Sequence, residues 1–346
     1  MKLREIQVDG YQKVVVANDE ASGLKAIISV HNTNLGPAVG GTRLYPYNNE
    51  DEALEDVLRL SRGMTYKSSL AGIDFGGGKS VIIAKPEDKT PELLKAFGQF
   101  VDSFGGSYNC AEDVNTSPED MEIIHEATPY VMGLNNKGGD PSPITALGVF
   151  VAIEATLEQK LNIPLNQAHV AIQGLGHVGQ HLLNMLIEKG CKVTVADKNQ
   201  KTLETLKDNP KVAIVDPENI HQTPCDLFAP CAMGGILNKD TIGKLNCKAV
   251  AGAANNQLLD EKEDAKRLHA RGILYAPDYL VNAGGIINVF VEQSKEGYNK
   301  QKARQATQKI AKTLMEIFTL AEKENILPSE AANKVAEKRF KPQPQN

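Results

Sequence analysis

Cysteine is sparse in this chain and falls into no ligand or disulfide pattern. Five occur in 346 residues, at Cys110, Cys191, Cys225, Cys231 and Cys247. The number is odd and the spacing wide, with neither a zinc-type C-x-x-C pair nor the density of a disulfide scaffold, so reduced thiols, mostly in the core, are expected. The seven histidines show no i, i+4 pairing with acids that suggests a metal, and none is expected. No stretch approaches the roughly 18 consecutive apolar residues of a membrane span. With 41% hydrophobic and 23% charged residues, the composition is that of a water-soluble globular chain with no membrane partner. The opening Met1-Lys2-Leu3-Arg4-Glu5-Ile6 lacks the apolar run of about 7 to 15 residues of a secretory signal, which sets the expectation of a cytoplasmic protein. Excess positive charge is missing as well. The net charge is −5, and the cluster Lys338-Arg339 with Lys341 lies in a proline-containing tail, so no nucleic-acid partner is expected.

What is present is length. Single cores stop growing at about 250 to 300 residues, so two domains are the default. The β-branched runs 13–17 and 24–30 flank Asn18-Asp19-Glu20-Ala21-Ser22-Gly23 and predict a hairpin with a longer loop. Apolar residues at three- and four-residue spacings predict helices over 50–63, with acids leading, and over 91–104. Around Gly133 to Pro143 the composition turns to Gly, Asn, Lys, Asp and Pro, which is linker chemistry. Beyond it, strands at 170–173, 192–196, 212–215, 226–229, 249–251 and 273–275 alternate with helical or loop segments, the pattern of a parallel, doubly wound sheet. A helix over 302–324 and a shorter one over 329–338 follow.

The strongest local motif is Gly174-Leu175-Gly176-His177-Val178-Gly179, directly after the strand 170–173 and opening an apolar-striped helix. Such glycines allow a tight turn, let backbone approach a pyrophosphate and pack helix on strand, while the helix N-terminus offers unpaired N–H groups. Asp197 ends the next strand, 23 residues after Gly174, near the spacing of about 20 for the acid that binds ribose hydroxyls. A second cluster, Gly76-Gly77-Gly78-Lys79-Ser80, fails the phosphate-loop frame, because Ile73 stands where that motif has its first glycine. A nucleotide hydrolase is therefore disfavoured. Lys79 in a side-chain-poor turn would instead be desolvated, and a second ammonium, Lys67, would depress its proton affinity further, making it a base near neutral pH.

Seven blocks then occur in order: Leu35-Gly36-Pro37-Ala38-Val39-Gly40-Gly41-Thr42-Arg43, Arg62-Gly63-Met64-Thr65-Tyr66-Lys67, Gly76-Gly77-Gly78-Lys79, Ala111-Glu112-Asp113-Val114, Pro141-Ser142-Pro143-Ile144-Thr145, Phe228-Ala229-Pro230-Cys231-Ala232 and Ala276-Pro277-Asp278-Tyr279-Leu280-Val281-Asn282-Ala283-Gly284-Gly285. Over nearly the whole chain they resemble the glutamate, leucine, phenylalanine and valine dehydrogenase family, the leucine branch most closely. The resemblance implies an α/β fold in two domains. One, over 1–140 and joined by the C-terminal helix 326–346, would carry a mixed sheet, bind substrate and make a homo-oligomer. The other, over 141–325, would be a Rossmann-type doubly wound domain for NAD.

By position, the resemblance implies that Lys67 holds the substrate carboxylate, Lys79 activates water and Asp113 transfers protons. Gly40 and Met64 would line the pocket, with Val39, Ala111, Ile286 and Val289 as apolar walls. Asn256 and Asn282 would help hold substrate and nicotinamide ribose, and Thr145 would join Gly174, Gly176, His177, Val178, Gly179, Asp197, Asn256 and Asn282 at the cofactor. The implied reaction is reversible, NAD-dependent oxidative deamination of leucine, valine or isoleucine to the 2-oxo acid and ammonia. Asn255, where leucine dehydrogenases commonly have Asp, is similar to the aromatic enzymes, so phenylalanine or tryptophan is the alternative substrate. A catalytically inactive NAD-binding regulator is more remote, because Lys67, Lys79 and Asp113 are all present.

Overall fold

The computed structural model describes residues 1–134, 139–294 and 297–341. The chain divides into two compact units. Unit 1 is Met1–Gly139 with Val289–Asn299 and Ala336–Asn346, and unit 2 is Asp140–Asn288 with Lys300–Val335. The linker read at 133–143 includes 135–138, and the tail includes 342–346, which lie outside the described residues. Relative to the division read from sequence, unit 1 takes the extra segment 289–299 and regains the chain at Ala336 rather than at 326. Periodicity does not report such membership, because it is decided by tertiary partners: Phe290 packs edge-on against Phe75 at 5.0 Å, and Ser69 Oγ donates to the Ala336 carbonyl at 2.7 Å.

Unit 1 contains β1 (Lys2–Ile6), β2 (Lys13–Asp19), β3 (Leu24–Asn32), β4 (Ala38–Tyr45), α1 (Glu50–Leu70), β5 (Gly76–Ile83), α2 (Pro91–Asp102), β6 (Tyr108–Glu112) and α3 (Pro118–His125). The sheet order is β1-β2-β3-β5-β4-β6, with β1, β2, β3 and β5 antiparallel in turn and β4 parallel to both β5 and β6. Alternation along β2 serves both faces: Val14 and Val16 pack with Ala53 and Val57 of α1, while Val15 and Ala17 join Leu94, Phe97 and Val101 of α2. Helix α1 begins where Asn49 accepts from the Glu52 N–H, and it runs past the expected stop at Gly63 to Leu70. An exposed mid-helix glycine costs about 1 kcal/mol, which the burial of Thr65, Tyr66 and Ser68 to Leu70 on the next turns outweighs.

Unit 2 contains α4 (Ser142–Glu154), β7 (His169–Gln173), α5 (His177–Glu188), β8 (Lys192–Ala196), α6 (Gln200–Glu204), β9 (Val212–Ile214), β10 (Leu227–Pro230), α7 (Lys239–Ile242), β11 (Ala249–Val250), α8 (Glu261–Ala270), β12 (Leu274–Tyr275) and α9 (Asp278–Val281). Next come α10 (Gly284–Glu292), α11 (Lys300–Glu324) and α12 (Pro328–Phe340), of which α10 and α12 each continue into unit 1. The second sheet is parallel throughout in the order β12-β11-β10-β7-β8-β9. Counting from β7, that is the Rossmann order, which reverses direction between β7 and β10 and opens a crevice at their carboxyl ends. All five cysteines are free, two buried and three half-buried. Among the described residues, no helix is long and apolar enough to cross a membrane.

Candidate active site

In unit 1, glycines clear the ground on which two charged side chains meet. Gly41 on β4 pairs with Ala111 on β6. A β-carbon on Gly41 would lie 2.7 Å from Asp113 Cβ and 3.1 Å from Lys79 Nζ. The Lys79 ammonium therefore reaches across bare backbone to Asp113 Oδ2 at 3.0 Å. Lys79 lies on strand β5 and not in the turn expected from sequence. Its glycine neighbours are dictated by close packing: β-carbons on Gly76, Gly77 and Gly78 would lie 2.3 Å from the Asn32 carbonyl oxygen, 2.0 Å from Thr65 Oγ1 and 2.6 Å from the Tyr108 ring. This cluster is a buried strand under α1, with no phosphate loop in it. Gly40 is bare for the same reason, since its β-carbon would meet the Gly78 carbonyl oxygen at 1.8 Å.

Burial lowers the proton affinity of Lys79, Asp113 opposes that shift, and Arg43 adds to it. Arg43 is thus a cation that assists this shift, one that sequence reasoning left without a role. For Asp113, burial favours the neutral acid, but Lys79 and Arg43 outweigh it and hold the carboxyl below the usual carboxylate range. The resting pair combines an amine with a weakened hold on its proton and a carboxylate that accepts before it donates. Lys67 is half-buried in the last turn of α1, one turn beyond Met64, which is also half-buried. Val39 is 1% exposed and Ala111 half-buried, while Val289 lies half-buried on α10.

In unit 2, the turn after β7 uses each glycine differently. Gly174 adopts φ +96°, open to glycine and strained for other residues. A β-carbon on Gly179 would lie 2.1 Å from the Gly174 carbonyl oxygen, so α5 packs tightly on the turn. Gly176 has neither constraint: its φ is −67° and nothing lies within 4 Å of a β-carbon placed there. It is exposed beside exposed His177, and no side chain caps the N-terminus of α5, which begins with His177 and Val178. Free N–H groups at an open helix N-terminus suit a pyrophosphate. Asp197 Oδ2 accepts from the Leu175 N–H of the same turn, and Oδ1 from the Asn199 N–H at 2.7 Å.

The carboxyl edge of this sheet also gathers amides. Asn282 Nδ2 donates to Asn255 Oδ1 at 2.9 Å and to the Ala253 carbonyl at 3.2 Å, while Asn282 Oδ1 and Gln173 Oε1 are buried acceptors without a hydrogen-bond partner. Unsatisfied buried acceptors carry a desolvation cost that a bound ligand's donors would offset. Asn256 is exposed and held at φ +49°. Thr145 opens α4 beside the start of α10, where a β-carbon on Gly285 would lie 3.2 Å from Thr145 Oγ1, and Ile286 follows, half-buried. Open glycine turn, helix N-terminus, paired acid and orphaned amide oxygens together fit a dinucleotide. Among the described residues, no three His, Cys, Asp or Glu side chains gather as a metal site.

Family profiles match both units: "Glu/Leu/Phe/Val dehydrogenase, dimerisation domain" over residues 6–130, and "Glutamate/Leucine/Phenylalanine/Valine dehydrogenase" over 140–203 and 194–342. The chain belongs to this dehydrogenase family. It is 46% identical over 332 residues to an L-tryptophan dehydrogenase of Nostoc punctiforme, covering 96% of this chain and 94% of that protein. It is 44% identical over 335 residues to the leucine dehydrogenase of Geobacillus stearothermophilus, covering 95% and 90%. The crystal structure of L-tryptophan dehydrogenase from Nostoc punctiforme superposes with a TM-score of 0.87 at 44% identity, covering 96% of each chain. The protein is an amino-acid dehydrogenase of an NAD(P)-dependent family.

Within this dehydrogenase, sequence reasoning assigned no role to Gly41, Arg43, Tyr47 or Asp56. Gly41 and Arg43 lie in the glycine-rich stretch Leu35–Arg43, and their spacing of two puts both on one face of an extended strand. Asp56 and Tyr47 left no such signal, since their meeting with Arg43 depends on how α1 lies over the sheet.

Proposed function

We propose that this dehydrogenase oxidatively deaminates branched-chain aliphatic L-amino acids, reversibly and with NAD, to the 2-oxo acid and ammonia. The observation that carries the chemistry is the Lys79–Asp113 contact of 3.0 Å above Gly41. In this reading Lys67 supplies a point charge for the substrate carboxylate, and Lys79 in its neutral form takes a proton from the attacking water. Asp113 exchanges protons with the departing or entering nitrogen. When bound, the nicotinamide would supply the hydride acceptor for the substrate Cα. Asp197 would accept hydrogen bonds from a ribose diol and repel a 2′-phosphate, favouring NAD over NADP. The aliphatic preference rests on Val39, Ala111, Ile286 and Val289, which offer no partner to a charged side chain. The family profile's dimerisation domain and the compact unit 1 support a homo-oligomer. Asn255, where leucine dehydrogenases commonly have Asp, and the 46% identity to an L-tryptophan dehydrogenase support a second reading, an aromatic substrate.

One panel tests these readings: leucine, isoleucine, valine, phenylalanine, tryptophan and glutamate, each with NAD and with NADP, followed by the absorbance of reduced cofactor. Leucine, isoleucine and valine should turn over with graded efficiency, because one methylene is worth about 1–3 kcal/mol in an apolar pocket. Glutamate should be inert and NADP poor. Phenylalanine or tryptophan ahead of leucine overturns the aliphatic reading, and equal kcat/KM for the two cofactors overturns the role of Asp197.

A further inference from the structure

Arg43 stands two residues after Gly41 on β4, and its guanidinium makes two directed contacts. Nε meets Asp113 Oδ2 at 3.1 Å, and NH1 meets Asp56 Oδ2 on α1 at 2.8 Å. Asp56 is itself fixed, accepting from Tyr47 OH at 2.6 Å and pairing through Oδ1 with Arg59 at 3.2 Å. Arg43, Asp56 and Asp113 have side chains 21%, 15% and 25% exposed, so the network is largely shielded from water. Lys79 and Arg43 both approach Oδ2 of Asp113, which leaves Oδ1 outside these two contacts. A planar guanidinium with donors in a rigid fork can hold two carboxylates at fixed angles, which a lysine cannot.

We propose that Arg43 is the positioning residue of the acid–base pair: anchored by Asp56 and Tyr47, it orients the Asp113 carboxylate and sets the local field in which Lys79 exchanges its proton. The inference rests on the dehydrogenase reading of Lys79 and Asp113. The groups that act on Lys79 come from several elements: Asp113 after β6, Arg43 on β4 and Asp56 on α1. Arg59 and Lys67 lie on the same helix as Asp56, and Tyr108 on β6 is kept neutral by burial. Arg43 lowers the proton affinity of Lys79 and Asp56 raises it. Removing one or the other therefore moves Lys79 in opposite directions.

Arg43→Gln, Arg43→Lys and Asp56→Asn are compared with the unsubstituted enzyme by kcat, KM and the ascending limb of kcat/KM against pH. Lys79 is also titrated directly by carbon-13 NMR of lysine-labelled, unliganded protein. Arg43→Gln should lose about tenfold or more in kcat with cofactor KM little changed, and the Lys79 titration should move up by about half a pH unit or more. Asp56→Asn should move it down. Arg43→Lys should keep the titration and still lose rate, because charge is retained without the fork. Titrations that stay in place in both neutralised variants, or move the same way, overturn the proposal. If Arg43→Gln does not fold, Asp56→Asn decides the field, and the rate of Arg43→Lys decides the orientation. If the unsubstituted enzyme oxidises no amino acid, the dehydrogenase reading fails, and the NMR titration still answers for Arg43.

Discussion

Lys79→Ala deletes a buried amine that faces Asp113, and the rate should fall by about a hundredfold or more while NADH still binds, since the glycine turn lies in unit 2. The sign of the pH dependence follows from the same contacts. With the neutral amine as the proposed base, oxidative kcat/KM should rise with pH through the Lys79 titration, which burial places below the ordinary lysine range. Asp113→Asn removes the charge that opposes that shift, so its limb should lie at lower pH and its rate should also fall. A limb that moves upward in Asp113→Asn, or near-normal turnover in Lys79→Ala, counts against the pair. Lys79 stands out in the sequence because three glycines precede it, yet their surroundings are not written there. Glycine suggested a turn, whereas these glycines are a strand pressed by Thr65, Tyr108 and the Asn32 carbonyl. Local composition records missing side chains and does not record what fills their place.

Among elements, helix α1 and the turn before α5 make opposite demands on glycine. A β-carbon on Gly77 would lie 2.2 Å from the Thr65 backbone nitrogen and 2.0 Å from its Oγ1. Trimming Thr65 cannot relieve a backbone contact, so Gly77→Ala should push α1 off the sheet at a cost of about 1–3 kcal/mol or more, read as a lowered Tm. Gly176→Ala meets nothing in the chain, so its stability should stay within about 0.5 kcal/mol of the parent. A methyl where a pyrophosphate would approach should weaken NADH at least tenfold by fluorescence titration. A Gly176→Ala protein that binds NADH normally removes this turn from the cofactor site. The βαβ rhythm made this element readable, because strand, glycine turn, helix and Asp197 are consecutive in sequence. The Rossmann strand order was not written there: β10 inserts beside β7 through pairing such as Leu227 with Val170, which no local period encodes.

At the scale of the molecule, substrate choice is the property that overall likeness decides least, because relatives of both aliphatic and aromatic class share this fold. It turns on small volumes at a few positions. Ala111 sits on β6 opposite Gly41, two residues before Asp113 in the chain, which makes its methyl group a wall of the proposed pocket. Removing that methyl frees about one carbon of volume, worth about 1–3 kcal/mol in discrimination between side chains of different bulk. Ala111→Gly should therefore raise kcat/KM for phenylalanine relative to leucine by about tenfold, with the absolute value for leucine falling as its pocket loosens. Asn255→Asp tests the competing signal: Asn255 Oδ1 already accepts from Asn282 Nδ2, and a carboxylate there can accept the same bond. If Asn255 shares in selecting the side chain, the leucine-to-phenylalanine ratio should change in Asn255→Asp. If it only orders the Asn282 amide, the ratio should hold while NADH affinity shifts. Ala111→Gly leaving the ratio unmoved, with Asn255→Asp moving it, would transfer the specificity from the β6 wall to the loop after β11 and favour the aromatic reading.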